Sequence, residues 1–239
     1  MHLEELINWE GKCLKNNMEK YIELINNSYN IISILSYISN IKTPKSLAYF
    51  TFNNQIRASL IQSLLALLRN HEVQSKLMLR HAIETGMLAA YSLIEPDIEK
   101  YLINEKDGAR PVKVMNKVYK FIENLFPDYS NRLKKVKDEI NEFYAHGNLF
   151  NSFVTSPNRE NIYGLAFFDR NRDDDFKLKI GIWQIGHIAC ILFDLLYEAS
   201  LMSIVVERNE EISKRYSELL KESQSFRYKF EIEFGKRKL

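Results

Sequence analysis

Glycine and proline are scarce in this sequence, with 8 and 5 among 239 residues. Because these residues mark most turns, their scarcity disfavours a sandwich or barrel built from many short strands. The 2 cysteines, Cys13 and Cys190, lie too far apart to form a metal-binding or redox motif. The sequence also has no glycine-rich phosphate loop, serine nucleophile elbow or cysteine–histidine arrangement. What remains is typical of a helical protein.

The charge balance gives little indication of a nucleic-acid partner. A formal net charge of +2 is too small to predict nucleic-acid binding from electrostatics alone. The hydrophobic content of 46% and charged content of 27% are typical of a soluble globular protein. The first residues include acids and no apolar core, so no signal peptide is predicted. We therefore expect a cytoplasmic protein with no membrane partner and no cofactor.

Apolar residues recur at helical spacing and predict an all-α protein, a multi-helix bundle of about seven or eight helices. A β-hairpin inserted near 161–180 is also predicted, because residues 161–168 are aromatic and β-branched and residues 176–180 alternate polar with apolar. The predicted helices span 2–39 (long or kinked), 44–68, the residues from the break at 69–70 to 94, 96–103, 111–126, 127–145, 181–206 and 209–234, with a loop at 105–109.

We predict a single domain over 1–239, because no linker or internal repeat interrupts the chain. Its parts are an N-terminal long helix (1–40), a helical core (44–147), a loop with the hairpin (148–180) and C-terminal helices (181–239). The helices that flank the break at 69–70 are close in sequence, and we expect them to lie antiparallel.

An arginine and a glutamate stand four residues apart in an otherwise apolar helix. They belong to one helical seam, formed by Val73, Leu77, Arg80, Glu84, Met87, Tyr91 and Ile94. The adjacent seam is apolar or small, so we expect this helix to be buried on most of its circumference. A buried charge is costly unless it is paired and hydrogen-bonded. The pair is therefore either a structural bridge, or an anion site in which Arg80 binds the ligand and Glu84 orients Arg80.

His146 is the second candidate, at the predicted end of a helix. A protonated histidine is favoured there by the helix dipole, and Gly147 then ends the helix. The functional interpretation makes His146 a proton-transfer group at the mouth of a cleft. Tyr144, Asn148 and Asn151 would then be binding residues of the same cleft.

A polar stripe follows the apolar helix predicted at 181–206. Its members are Gln184, His187, Asp194 and Glu198, and they argue against a membrane span. One interpretation uses the last three as metal ligands, but their spacing matches no common metal motif, and no metal site is predicted. The favoured interpretation is a solvated stripe or a contact in which Asp194 or Glu198 meets Arg80, with His187 and Asp194 as binding residues.

One combination of motifs resembles a known group of proteins. The pattern Arg-x-x-x-Glu (Arg80 to Glu84) on a helix rich in small residues is followed about 60 residues later by an aromatic-x-His (Tyr144 to His146) at a helix end. This pattern resembles a bacterial all-helical family of unknown function and, more distantly, the HEPN superfamily of ribonuclease toxins and anti-phage proteins. The resemblance covers roughly residues 45–205. The Arg–His pair of HEPN ribonucleases, separated by four to six residues on one helix, is absent here.

The resemblance implies a defence or toxin-type protein with a polar site built from Arg80, Glu84 and His146, acting on or binding a nucleotide or RNA. The alternative is a non-enzymatic interaction or oligomerisation module whose polar residues are structural. In that case the small-residue face of the Arg80 helix (Ala82, Thr85, Ala89 and Ser92) packs against another helix or subunit. A homodimer through the long terminal helices is expected under this alternative.

Overall fold

The computed structural model describes residues 3–105, 108–144 and 175–237. The fold class predicted from the sequence is confirmed, since these residues form eight α-helices and two short antiparallel strand pairs. The helices are α1 (Leu3–Lys20), α2 (Ile22–Ile34), α3 (Leu47–Leu68), α4 (Glu72–Ile94), α5 (Met115–Leu125), α6 (Pro127–Phe143), α7 (Asp175–Leu201) and α8 (Ile212–Arg237). The strands are β1 (Ser39–Ile41), β2 (Leu102–Glu105), β3 (Gly108–Pro111) and β4 (Val206–Arg208).

The N-terminal helical segment is kinked at a single residue, Tyr21. Its φ of −122° and ψ of 27° are not helical, and they separate α1 from α2. Backbone hydrogen bonds still cross the kink, because the Tyr21 N–H donates to Asn17 and the Ile25 N–H donates to Tyr21. Seven residues of α2 are buried, whereas α1 has no buried residue. The kink therefore joins a surface helix to a core helix.

Helices α3 and α4 form the antiparallel hairpin that the sequence predicted. Asn70 makes the turn with a φ of 66°, in the left-handed region that asparagine tolerates better than most residues. Across the hairpin, the Ser63 hydroxyl donates to the Ser75 carbonyl over 2.8 Å. The small-residue face of α4 is buried within the bundle, with exposed fractions of 0–3% for Ala82, Thr85, Ala89 and Ser92.

Helix α7 is the central helix of the core and packs against α2, α3, α4, α6 and α8. Two glycines let its neighbours approach. A Cβ added at Gly186 would lie 2.7 Å from the Ser28 Oγ of α2, and one added at Gly86 of α4 would collide with the Leu192 side chain. By length and composition α7 could cross a membrane, but 67% of its most apolar window is buried inside the protein. A buried core helix of a soluble protein meets the same criterion.

The position predicted for the second hairpin strand is wrong. Residues 176–180 form the first turns of α7, and residues 161–174 lie outside the described part of the chain. Phe176 and Leu178 are buried, as an alternating strand would require, but Leu178 is followed by Ile182 and Ile185 at helical spacing. Five alternating residues are too few to distinguish the two periods, and the longer helical pattern prevails. Helix α7 also ends at Leu201, five residues before the predicted end at 206.

A small hairpin does occur, but it consists of β2 and β3. Leu102 pairs with Pro111 and Glu105 with Gly108, where the sequence predicted the end of a short helix and a loop. Helix α5 consequently starts at Met115 instead of 111. Gly108 has a φ of 121°, which L side chains rarely adopt, so glycine is required at this turn. The Asp-Gly pair at 107–108 is a hairpin signal that could have predicted the turn.

The second strand pair joins distant parts of the chain. Strand β1 follows α2, and it pairs with β4, which follows α7, in the antiparallel register Ser39 with Arg208 and Ile41 with Val206. Three-residue strands carry almost no sequence pattern, so this pairing was not predicted. It holds the ends of α2 and α7 together.

Candidate functional site

The charged residues of α4 extend beyond the predicted pair. Glu72, Lys76, Arg80 and Glu84 follow one another at intervals of four residues. Side chains four residues apart on a helix are neighbours, so these four residues form one continuous row. We refer to them as the polar ridge.

The C-terminal half of the polar ridge is the predicted Arg80–Glu84 pair. The Arg80 Nε donates to the Glu84 Oε1 over 3.3 Å, and the two side chains are 34% and 30% exposed. The expectation that this pair is buried is therefore wrong, because the ridge lies at the margin of the packed face of α4. A partly exposed i,i+4 pair of this kind contributes only about 0.2–0.5 kcal/mol to helix stability.

The N-terminal half of the ridge makes the longer-range contacts. The Lys76 Nζ donates to the Gln184 Oε1 of α7 over 2.5 Å. The Tyr144 hydroxyl, at the end of α6, donates to the Glu72 Oε1 over 2.9 Å. The Lys76 ammonium also lies 6.0 Å from the centre of the Tyr144 ring, at the outer limit of a cation–π contact. Three helices thus meet around Lys76.

A cavity of about 140 Å³ opens beside these contacts. We call it the Lys76 cavity. Its lining combines apolar side chains of α3, α4 and α7 with polar and charged groups of α4 and α7, namely Leu67, Glu72, Ser75, Lys76, Leu79, Lys177, Ile180, Gly181, Gln184 and Ile185. Arg80 lies one turn further along α4, and Lys76 and Lys177 supply the cations at the cavity itself.

Burial perturbs the titration of the groups around this cavity. Burial lowers the pKa of the Lys76 ammonium, and the nearby carboxylates of Glu72 and Glu139 only partly oppose this effect. Burial raises the pKa of the Tyr144 hydroxyl, and the Glu72 carboxylate raises it further. Tyr144 is therefore a hydrogen-bond donor at neutral pH, and burial makes the charged form of Lys76 costly despite the two carboxylates.

His187 lies on the polar stripe of α7, one turn beyond Gln184. Its ring stacks on the Trp183 ring, with centres 4.9 Å apart and planes inclined by 8°. Burial lowers the pKa of His187 to about 4, and the positive charges of Arg132 and Arg227 contribute. The imidazole is therefore neutral at pH 7.

Asp194 and Glu198 are engaged by neighbours other than Arg80. Burial raises the pKa of Asp194, while a hydrogen bond with Tyr216 and the charge of Arg132 oppose the rise. The Tyr129 hydroxyl donates to the Glu198 Oε1 over 2.6 Å. The predicted contact between either carboxylate and Arg80 is thus wrong, because these side chains turn toward α6 and α8.

The described ranges hold no group of three or more His, Cys, Asp or Glu residues that could bind a metal ion. The stripe of α7 is shared among several partners, since Gln184 binds Lys76, Asp194 meets Tyr216 and Glu198 accepts from Tyr129. The metal interpretation of His187, Asp194 and Glu198 receives no support from this arrangement.

The structure brings together some of the predicted residues. Tyr144 contacts the polar ridge of α4, although its partner is Glu72 and not Arg80. His146, Asn148 and Asn151 lie outside the described residues. Sequence reasoning missed Glu72 and Lys76, and the four-residue interval that links Arg80 to Glu84 would have found both when continued toward the N-terminus.

Comparisons with protein-family models, with curated proteins and with solved structures found no match. The fold and the site define an all-α protein with a half-open, lysine-containing cavity where α3, α4 and α7 meet, beside the end of α6.

Proposed function

We propose that the Lys76 cavity binds the phosphate of a nucleotide or of RNA, and that the protein is a cytoplasmic bacterial defence or toxin-type protein. The binding proposal is carried by Lys76, a cation whose pKa is lowered by burial inside a cavity. The proposed cellular role rests only on the HEPN-like pattern formed by Arg80, Glu84, Tyr144 and His146.

An anionic ligand would relieve the electrostatic cost of burying Lys76. Burial disfavours the charged ammonium, and an opposite charge within about 4–6 Å restores it. Lys177 lines the same cavity and adds a second positive charge. A phosphate group could therefore receive donors from α4 and from the first turns of α7.

The polar ridge also contains acidic groups that would repel an anionic ligand. The Glu72 carboxylate lines the cavity and would repel a phosphate, but it accepts a hydrogen bond from Tyr144. In this proposal Tyr144 holds Glu72 aside, Arg80 binds a second anionic group of the ligand, and Glu84 orients Arg80. His146, two residues beyond Tyr144, is the proposed proton-transfer group.

Titration calorimetry with inorganic phosphate and with adenosine monophosphate tests the binding step. We expect Lys76→Met to weaken binding at least about tenfold, because a charge-assisted hydrogen bond contributes about 1.5–3 kcal/mol. Lys179→Met is the matched control, since Lys179 pairs with Glu233 over 3.2 Å and does not line this cavity. Equal weakening by both variants, or none by Lys76→Met, would contradict the proposal.

Incubation of the purified protein with end-labelled RNA tests for a chemical step. If the site acts on RNA, the wild type generates fragments, and His146→Ala and Arg80→Ala each reduce their rate. Cleavage that survives both substitutions would disprove the assignment of these residues.

The alternative of a non-enzymatic interaction module is favoured by one separate observation. Large apolar side chains on α1 are exposed, including Leu3 at 72% and Ile7 at 58%. Exposed apolar patches of this kind commonly mark interaction surfaces.

A further inference from the structure

Helix α1 contacts α3 and the turn after it through a row of residues spaced one helical turn apart. Glu10 pairs with Arg69 and with His71, each over 3.5 Å, and the Asn17 side chain donates to the Leu68 carbonyl over 2.8 Å. Leu14 is partly buried against the core. These contacts occur at helical spacing and define the inner side of α1.

A second, outward row of apolar residues runs beside the inner one. Leu3, Ile7 and Met18 are 72%, 58% and 40% exposed, and Leu14 lies at the margin between the two rows. Their positions, 3, 7, 14 and 18, are separated by four or seven residues, which is the spacing of a helix-pairing seam. We call Leu3, Ile7, Leu14 and Met18 the α1 seam.

A glycine stands at the middle of this seam. Gly11 lies midway along α1 and is fully helical, although glycine is less favourable than alanine inside a helix. A Cβ added at Gly11 would meet nothing within 4 Å, so packing among residues 3–105, 108–144 and 175–237 does not require a glycine here. A glycine at the crossing point of two helices allows their backbones to approach closely, so Gly11 would suit a second helix packed against this part of α1.

The charges beside the seam specify an orientation for a partner helix. The first turn of α1 is acidic, with Glu4 and Glu5, and Lys15 lies near the opposite end. Lys15 reaches Glu19 only over 4.0 Å, and both side chains are largely exposed, at 77% and 68%. In an antiparallel pair of α1 helices that cross near Gly11, Glu4 of one copy lies within one turn of Lys15 of the other. A parallel pair would instead place both Glu4 residues at one end of the helix pair and both Lys15 residues near the other, so that the two charges would not meet.

We propose that α1 pairs antiparallel with α1 of a second copy of this chain, about a two-fold axis near Gly11. Leu3 then packs against Met18 of the partner helix and Ile7 against Leu14, so the contact is the same on both copies. This interface goes beyond the proposed function, because α1 lines no part of the Lys76 cavity.

Light scattering after size-exclusion chromatography, over a range of protein concentrations, tests the pairing. We expect a dimer for the wild type and a monomer for Ile7→Lys and for Gly11→Leu. Ile204→Lys is the matched control, since Ile204 is 79% exposed but lies outside α1, and it should leave the dimer intact. A wild type that stays monomeric at the highest soluble concentration would overturn the proposal.

Gly11→Leu also separates loss of pairing from loss of folding. A Cβ at this position meets nothing within 4 Å, so we expect the monomer of this variant to keep its helical circular dichroism signal. A dimer that persists in both Gly11→Leu and Ile7→Lys would place the interface elsewhere and would also overturn the proposal.

Charge reversal tests the antiparallel orientation. We expect Glu4→Lys and Lys15→Glu each to raise the dimer dissociation constant severalfold, and the double variant to return toward the wild-type value. Single variants that weaken the dimer without any recovery in the double variant would contradict the antiparallel arrangement. Phosphate binding at the Lys76 cavity should be unaffected by all of these substitutions, so failure of this interface and failure of the proposed function are distinguishable.

Discussion

The packed and polar sides of α4 and α7 differ in how closely their side chains pack. On the packed side, Gly86 lies directly against Leu192 and Gly186 against Ser28, and side chains leave little free space. On the polar side, Lys76 reaches Gln184 beside a cavity of about 140 Å³. The same two helices are therefore close-packed along one line and open along another.

The two sides therefore have separate roles: the packed side stabilises the fold, and the polar side carries the groups that could bind a ligand. The close contacts exclude water and stabilise the bundle through buried apolar surface. The polar side keeps a cation at partial burial, which opposes stability unless a ligand compensates it. Polar sites that lower stability are typical of functional sites, so substitutions on the two sides should have different effects.

The largest expected effect lies on the packed side, at Gly86. Gly86→Val should lower the free energy of unfolding by about 1–3 kcal/mol, because the new side chain overpacks the contact with Leu192, which is itself fully buried. Urea unfolding measures this change. Gly235→Val is the control, since a Cβ at Gly235 meets nothing within 4 Å. A similar, small effect of both substitutions would mean that the two sides of α4 do not differ in packing.

The next effect lies at the hydrogen bond between Tyr144 and Glu72. Tyr144→Phe should lower the free energy of unfolding by about 1–2 kcal/mol, since it leaves a half-buried carboxylate without its donor. Tyr129→Phe removes a hydrogen bond to Glu198, whose side chain is exposed, and should cost less. Equal costs in urea unfolding would indicate that water replaces both donors equally well.

The stability of the protein should depend on pH because of His187, on the polar side of α7. The folded-state pKa of His187 is about 4, below the ordinary value of 6.5, because of burial and the charges of Arg132 and Arg227. Between these two values the unfolded chain binds a proton that the folded chain does not, so stability falls as the pH drops from about 6.5 to 4. His187→Gln should therefore show a smaller decrease in melting temperature between pH 7 and pH 5 than the wild type.

Other groups titrate in the same range, so only the difference between these two proteins is informative. The raised pKa of Asp194 acts in the opposite direction, and it is common to both. An identical decrease in melting temperature would show that the pKa of His187 is not lowered.

The smallest effect on stability is expected for the Arg80–Glu84 pair, the charged pair that stands out most in the sequence. A double-mutant cycle with Arg80→Met and Glu84→Gln should give a coupling of only about 0.2–0.5 kcal/mol, because both side chains are about one-third exposed. Thermal unfolding of the four proteins measures it. A coupling several times larger would make the pair a structural bridge and would weaken the case for a ligand at Arg80.

The helical periods along the chain were enough to predict most of the bundle. The turn at Asn70, the kink in the first long helix and the hairpin of α3 and α4 follow from local patterns of apolar residues and breakers. The pairing of β1 with β4 does not, because its register depends on backbone contacts between residues more than 160 positions apart.

The candidate site was predicted only in part for a similar reason. The sequence showed Arg80 and Glu84 as unusual, but it did not show that α4 turns this pair toward its exposed margin. The contacts that mark Lys76 and Glu72 join residues 108 and 72 positions apart, through Gln184 and Tyr144. A separation of this size leaves no periodic signal.

The sequence by itself determined most of the long helices, because the apolar spacing of a long helix is a property of consecutive residues, whereas the short segments at 96–103 and 176–180 were too brief for their period to be read. Only the tertiary structure decided which polar residues share a cavity, which are exposed and which residues of α1 contact the bundle. Burial and long-range contacts depend on how the helices pack together, and a one-dimensional pattern does not contain that arrangement.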